Sequence, residues 1–149
     1  MYPGAVSGSV ESIAVAAQES ELPAAVEEIE VTGRGLAGDR YGDAGDITLI
    51  QAEALEGLLA DTGIELSHEE SRRQVLTRGI DLNALVGKRF TVGTVECQGI
   101  ELCEPCNHLQ SLTKPGVLRG LVHRAGLRAD IVGPGRIAVG DPVTAGGNA

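Results

Sequence analysis

The stretch Arg89-Phe90-Thr91-Val92-Gly93-Thr94-Val95-Glu96-Cys97-Gln98-Gly99-Ile100-Glu101-Leu102 decides how this chain folds. Two apolar-alternating runs, residues 89–92 and 94–102, meet at a glycine. A period of two belongs to a strand with one buried face. Within the longer run Cys97 shares a face with Val95 and Gly99, which predicts a packed, inert thiol. The same punctuation continues outward. Residues 9–15 and 26–31 alternate loosely, 47–50 form a short apolar run suited to a buried strand, and 74–77 make another. Residues 127–132 and 136–139 finish the strands before Gly140-Asp141. Helical spacing is confined to residues 51–62, where Leu55, Leu58 and Leu59 recur and Gly63 stops the helix, to a turn at 82–86, and to short helices at 106–113 and 117–123. Many short Gly-bounded strands with few helices between them predict a mainly β, barrel-like domain with a few short helices. Residues 145–149 read as a frayed tail.

A length of 149 residues suits one core, and no repeat or linker divides the chain, so residues 1–149 are expected to form a single domain. With 21 glycines and only 2% aromatic residues, that core must be built from Val, Leu, Ile and Ala. The N-terminus has neither a basic region nor a compact apolar stretch, and no apolar run is long enough to span a bilayer. Three cysteines, an odd number, do not make a secreted disulfide framework. A cytoplasmic protein without a membrane partner is the expectation. Residues 1–71 carry a net charge of −13 and residues 72–149 a net charge of +4, which together give −9. An acidic chain without a basic-aromatic pattern does not favour nucleic acid. Its basic second half fits a small anionic ligand, or simply a solvated surface.

That half holds Glu101-Leu102-Cys103-Glu104-Pro105-Cys106-Asn107-His108-Leu109. Proline favours the first position of a helix, which would put Cys106 in the first turn. Unpaired amides and the helix dipole there favour thiolate over thiol. A thiolate can act as a nucleophile, carry sulfur or ligate a soft metal, whereas an ordinary free cysteine is a small buried hydrophobe. Cys103 and Cys106 also form a C-x-x-C pair, but no βαβ unit precedes it as in thiol–disulfide exchange proteins. A second pair for zinc is missing, and His68, His108 and His123 lack ligand spacing to it. Gly33-Arg34-Gly35-Leu36-Ala37-Gly38 matches the dinucleotide fingerprint in letters only, because the following Asp39-Arg40-Tyr41-Gly42-Asp43 cannot open a helix. Those glycines instead supply positive φ in a folded loop. Neither a serine-hydrolase elbow nor a Ser-His-Asp order occurs. Arg72, Arg73 and Arg78 surround one strand; Arg72 and Arg73 diverge, one toward a site and one toward solvent or a carboxylate. Guanidinium is suited to phosphate.

Several segments together resemble the MOSC domain, named for the C-terminal domain of molybdenum cofactor sulfurase. They are Gly38-Asp39-Arg40-Tyr41; Ile47-Thr48-Leu49-Ile50 with Gln51-Ala52-Glu53; Arg72-Arg73-Gln74 with Gly79-Ile80-Asp81-Leu82-Asn83; Leu85-Val86-Gly87-Lys88-Arg89-Phe90 with Val92-Gly93; Pro105-Cys106; and Gly140-Asp141. They occur in the family's order over nearly the whole chain. The resemblance implies a β-barrel of the MOSC or pyruvate-kinase-barrel-like type and a stand-alone member without the extra domains of amidoxime-reducing or desulfurase relatives. It implies molybdenum cofactor (molybdopterin) as the ligand and Cys106 as catalytic residue and molybdenum ligand. Arg72 matches the arginine that holds the pterin phosphate. Asn83, Arg119 and Arg124 are further candidate cofactor-binding residues, with Arg128 another basic candidate. Gln74 stands where the family commonly has asparagine. The implied chemistry is reduction of N-hydroxylated substrates or a sulfurtransferase-like reaction, with an electron-donor or sulfur-donor protein as partner. The alternatives are a non-enzymatic persulfide carrier or adaptor for metal–sulfur cofactor assembly, and a cofactor-free interaction domain.

Overall fold

A computed structural model describes residues 7–16, 22–39, 45–103 and 124–146. Its strands are β1 (Ser7–Val15), β2 (Ala24–Val26), β3 (Glu28–Thr32), β4 (Gly35–Leu36), β5 (Asp46–Gln51), β6 (Val75–Arg78), β7 (Arg89–Val92), β8 (Val95–Leu102), β9 (Leu127–Gly133), β10 (Gly135–Ala138) and β11 (Pro142–Ala145). The helices among the described residues are α1 (Ala52–Thr62), α2 (His68–Ser71) and a 3-10 turn (Leu82–Leu85). Seven strands close a barrel in the order β11-β7-β8-β9-β5-β6-β1, with β1 returning to β11. Six of the seven contacts around it are antiparallel, and only β5 and β6 run parallel. Parallel neighbours need a crossover, and α1 and α2 supply it. The mainly β, barrel-like expectation is therefore met.

The alternation in the sequence is what fills the barrel. Val92, Val95, Cys97, Leu127, Ala129, Ile47, Leu49, Val75, Val10, Ile13 and Val143 point inward and are buried, together with Phe90, the chain's one phenylalanine. Leu82 and Leu85 of the 3-10 turn join the same core. The turn lies so close to β8 that a Cβ on Gly99 would sit 1.9 Å from the Leu85 carbonyl oxygen. A second sheet, β10-β3-β4, adds Val31, Leu36 and Ile137 to the core. Helix α1 ends as its sequence predicts, with Gly63 left-handed at φ 76° and its N–H bonded to the Leu59 carbonyl. Among the described residues no helix is long and apolar enough to cross a membrane.

Four expectations change. Residues 26–31 are not one strand: the chain breaks at Glu27, and β2 joins the barrel through β1 while β3 joins the second sheet. The strands do not end before Gly140-Asp141, because β11 follows and closes the barrel, pairing Val143 with both Gly8 and Val92. Ala145 accordingly belongs to a strand, opposite Phe90, and not to a tail. Strand β11 offers only Val143 and the small Ala145 to the core and begins with proline, so little alternation announces it. Proline fits there because the first residue of a strand can do without its N–H. Finally, α2 arises from a capping box: Ser67 Oγ accepts from the Glu70 N–H at 3.1 Å, and Glu70 Oε1 accepts from the Ser67 N–H at 3.0 Å. The predicted helices at 106–113 and 117–123 lie outside the described residues.

Candidate functional site

The chain leaves the barrel after β8 at Cys103 and enters β9 through Arg124, Ala125 and Gly126. Those two stems are held together. The Cys103 N–H donates to the Gly126 carbonyl at 2.7 Å, and Leu102 pairs with Leu127. Gly126 must be glycine: its φ is 117°, and a Cβ would lie 2.2 Å from the Leu49 carbonyl oxygen.

Arginine 73 reaches the same point from the α2–β6 connection. Its Nε donates to the Ala125 carbonyl at 2.7 Å, and its Nη2 lies 3.5 Å from the Cys103 carbonyl. The turn that delivers it is unusual. Arg72, the residue after α2, has φ 60°, the one positive φ on a non-glycine residue among those described. Such a conformation costs about 1 kcal/mol and has to be held by its surroundings. Buried His68 does part of the holding, with Nε2 2.8 Å from the Arg73 carbonyl and Nδ1 2.6 Å from Ser12 Oγ. A carbonyl only accepts, so Nε2 carries the proton and Nδ1 accepts from the Ser12 hydroxyl. Burial keeps the imidazole below its usual range, against the pull of the Arg73 carbonyl and of Glu69.

Gln74 is buried and spends its amide on structure. Its Nε2 donates to Asp39 Oδ2 at 2.9 Å, its Oε1 accepts from the Thr48 N–H at 2.9 Å, and Asp39 Oδ1 accepts from the Ala16 N–H at 2.9 Å. Thus Asp39 and Gln74, two residues of the motifs read in the sequence, tie the end of β1 and strands β5 and β6 to the loop after β4.

The candidate residues fall into distinct places. Arg72 adjoins Arg73. Arg124 is on the returning stem, where its Nη2 meets Asp61 Oδ2 of α1 at 3.0 Å. Arg128 faces the stems but is ringed by carboxylates: Glu101 at 3.1 Å, Asp46 at 3.5 Å and Asp130 at 3.8 Å. Three negative charges make it a poor anchor for an anion. Asn83 lies in the 3-10 turn, past the C-terminal end of β6, whereas Arg72 and Arg73 precede its N-terminal end. Cys106 and Arg119 lie outside the described residues. Cys97 is fully buried in the barrel, and burial, with a smaller push from Glu96, drives its thiol up to about 12. Cys103 is partly exposed. Burial raises its thiol too, Arg73 and Arg128 pull it back, and Glu101 and Asp46 oppose them. The sequence marked Arg73 as one of a diverging pair bound for a site, solvent or a carboxylate, and its partners are instead the Ala125 and Cys103 carbonyls; His68 and Ser12 carried no such signal.

The MOSC domain model matches residues 39–144, so this chain belongs to the MOSC domain family. Its fold is similar to that of YuaD from Bacillus subtilis, with a TM-score of 0.80 at 15% identity over 96% of this chain and 97% of the other. YiiM from Escherichia coli gives 0.71 at 14% identity over 95% and 71% of the two chains. YiiM from Geobacillus stearothermophilus gives 0.69 at 14% over 96% and 75%. Identities this low speak for the shared fold. No curated protein sequence is significantly similar to the chain.

Proposed function

We propose that this protein binds molybdenum cofactor beside the two stems and works on or through its sulfur and metal with Cys106 as the thiolate. The observation that carries the reading is that Arg73 holds both stems of the segment that contains Cys106, with Arg124 on one of those stems and Arg72 next to Arg73 in the chain. Cys106 follows Cys103 by three residues, at most about 11 Å of chain. The donor chemistry fits the group. Guanidinium pairs with a pterin phosphate, and a single thiolate suits a metal that arrives already chelated by its own sulfurs. Among the described residues no three His, Cys, Asp or Glu side chains converge on a common metal position. Arg72 would hold the phosphate, with Arg124 and Arg119 as further cationic contacts, and Cys106 would ligate molybdenum. When bound, the cofactor would supply a redox-active metal able to take an oxygen atom from an N-hydroxylated substrate, with electrons from a donor protein. Asn83 stands apart from the arginines and would at most contact a distal part of a ligand.

The test is the metal and pterin content of protein purified from a host that makes the cofactor. Stoichiometric pterin and molybdenum in the wild type, with molybdenum lost in Cys106→Ser, supports the reading. A wild-type protein without either, but with one extra sulfur atom on Cys106 by intact mass, replaces it with persulfide carriage.

A further inference from the structure

The stems themselves are held by Arg73, the second arginine of the Arg72-Arg73-Gln74 segment. The Arg73 guanidinium spans both, at 2.7 Å from the Ala125 carbonyl and 3.5 Å from that of Cys103, and its Nε lies 3.5 Å from where a Gly126 Cβ would be. Its own main chain is pinned from behind. The Arg73 carbonyl accepts from His68, and its N–H donates to Ser71 Oγ at 3.3 Å, which in turn donates to the His68 carbonyl at 2.6 Å. His68 is fixed by Ser12, next to a register shift in the β1–β6 pairing between Val10 and Ser12. Bulges of this kind re-aim the side chains around them. The chain of contacts thus runs from β1 through α2 to the exit and entry points of residues 104–123. A forked donor with a fixed plane can hold two carbonyls on different stems, whereas an ammonium is a single point of charge.

We propose that Arg73 is a positioning residue: it locks the two stems, Cys103 and Ala125, to each other and to the α2–β6 turn, and it sets the electrostatic surroundings of Cys103. This rests on the reading that the segment between the stems carries the working thiol, but it is measured without any cofactor. Its failure and the failure of cofactor binding are therefore distinguishable.

The experiment compares the full-length wild type with Arg73→Gln and Arg73→Lys, each confirmed as folded by circular dichroism. Hydrogen exchange is followed at the Cys103 amide, with the Phe90 amide in the barrel as reference. Alkylation of Cys103 across pH is read by peptide mass spectrometry. Arg73→Gln should speed exchange at Cys103 roughly tenfold, the loss of one charge-assisted contact, and leave Phe90 unchanged. It should also move the Cys103 alkylation midpoint upward, because a neighbouring positive charge is gone. Arg73→Lys should lose the same exchange protection yet keep the midpoint, since charge survives and the fork does not. An Arg73→Gln protein whose midpoint is unchanged or lowered overturns the proposal whatever its exchange, as does one with wild-type protection at Cys103. If Arg73→Gln does not fold, Arg73→Lys decides: wild-type protection at Cys103 overturns the proposal.

Discussion

Replacing His68 tests the buried link behind the stems. His68 makes two hydrogen bonds, to the Arg73 carbonyl at 2.8 Å and to Ser12 at 2.6 Å, from a side chain 7% exposed. His68→Ala strands the carbonyl, which costs about 1–3 kcal/mol, and leaves a cavity; half-buried Ser12 can turn to water. We expect a loss of about 2–4 kcal/mol in urea unfolding followed by circular dichroism at pH 7.5. His68→Gln can donate to the carbonyl and accept from Ser12, so it should recover much of that. It should also abolish a pH dependence. The folded imidazole is held below its unfolded value of about 6.5, so the unfolded chain binds the proton first as pH falls. The stability due to neutral His68 is complete above about pH 6.5 and is lost below it, by at most about 1.4 kcal/mol per pH unit. Between pH 7.5 and 5.5 the wild type should therefore lose more stability than His68→Gln. Equal losses in the two proteins, or a cost under about 1 kcal/mol for His68→Ala, would refute the reasoning.

Other consequences are as direct. Gly99→Ala puts a methyl 1.9 Å from the Leu85 oxygen and should cost about 3 kcal/mol or more in the same unfolding assay. Ending the chain after Asp141 removes β11 and opens the barrel between β1 and β7, so cooperative thermal unfolding should disappear; a variant that still melts sharply would show that closure is dispensable. In thiol labelling at pH 8, Cys97, with its thiol pushed up to about 12 in the barrel core, should stay unmodified until urea unfolds the protein, while Cys103 labels slowly in the native state.

The barrel was legible because its strands are filled by alternation: Val95, Cys97 and Gly99 face inward as their spacing says. Helix α1 and its Gly63 stop were legible for the same reason, since local preference and burial agree there. Strand β11 was not, because closure depends on two partners far away in the chain and its core face consists of Val143 and the small Ala145. Helix α2 was spelled out by Ser67 and Glu70, yet four residues have no periodicity to draw attention. At the site, the resemblance gave Arg72 a role and the sequence marked Arg73 only as its diverging neighbour, because the partners of Arg73 are main-chain carbonyls 30 and 52 residues further on. Main-chain acceptors leave no trace in side-chain identity. Gln74 was noticed as a departure from the family pattern, and the structure gives it a task of its own: tying Thr48 to Asp39.

We propose that Arg72 holds the phosphate of a pterin cofactor while Cys106 takes the metal. Isothermal titration of isolated cofactor into the wild type, Arg72→Ala and Cys106→Ser separates the two roles. Arg72→Ala should bind roughly ten- to hundred-fold more weakly, the loss of a charge-assisted contact of about 1.5–3 kcal/mol. Cys106→Ser should keep the phosphate contact and lose the sulfur–molybdenum signature in X-ray absorption. Unchanged affinity in Arg72→Ala, or no binding by the wild-type protein, would contradict the account.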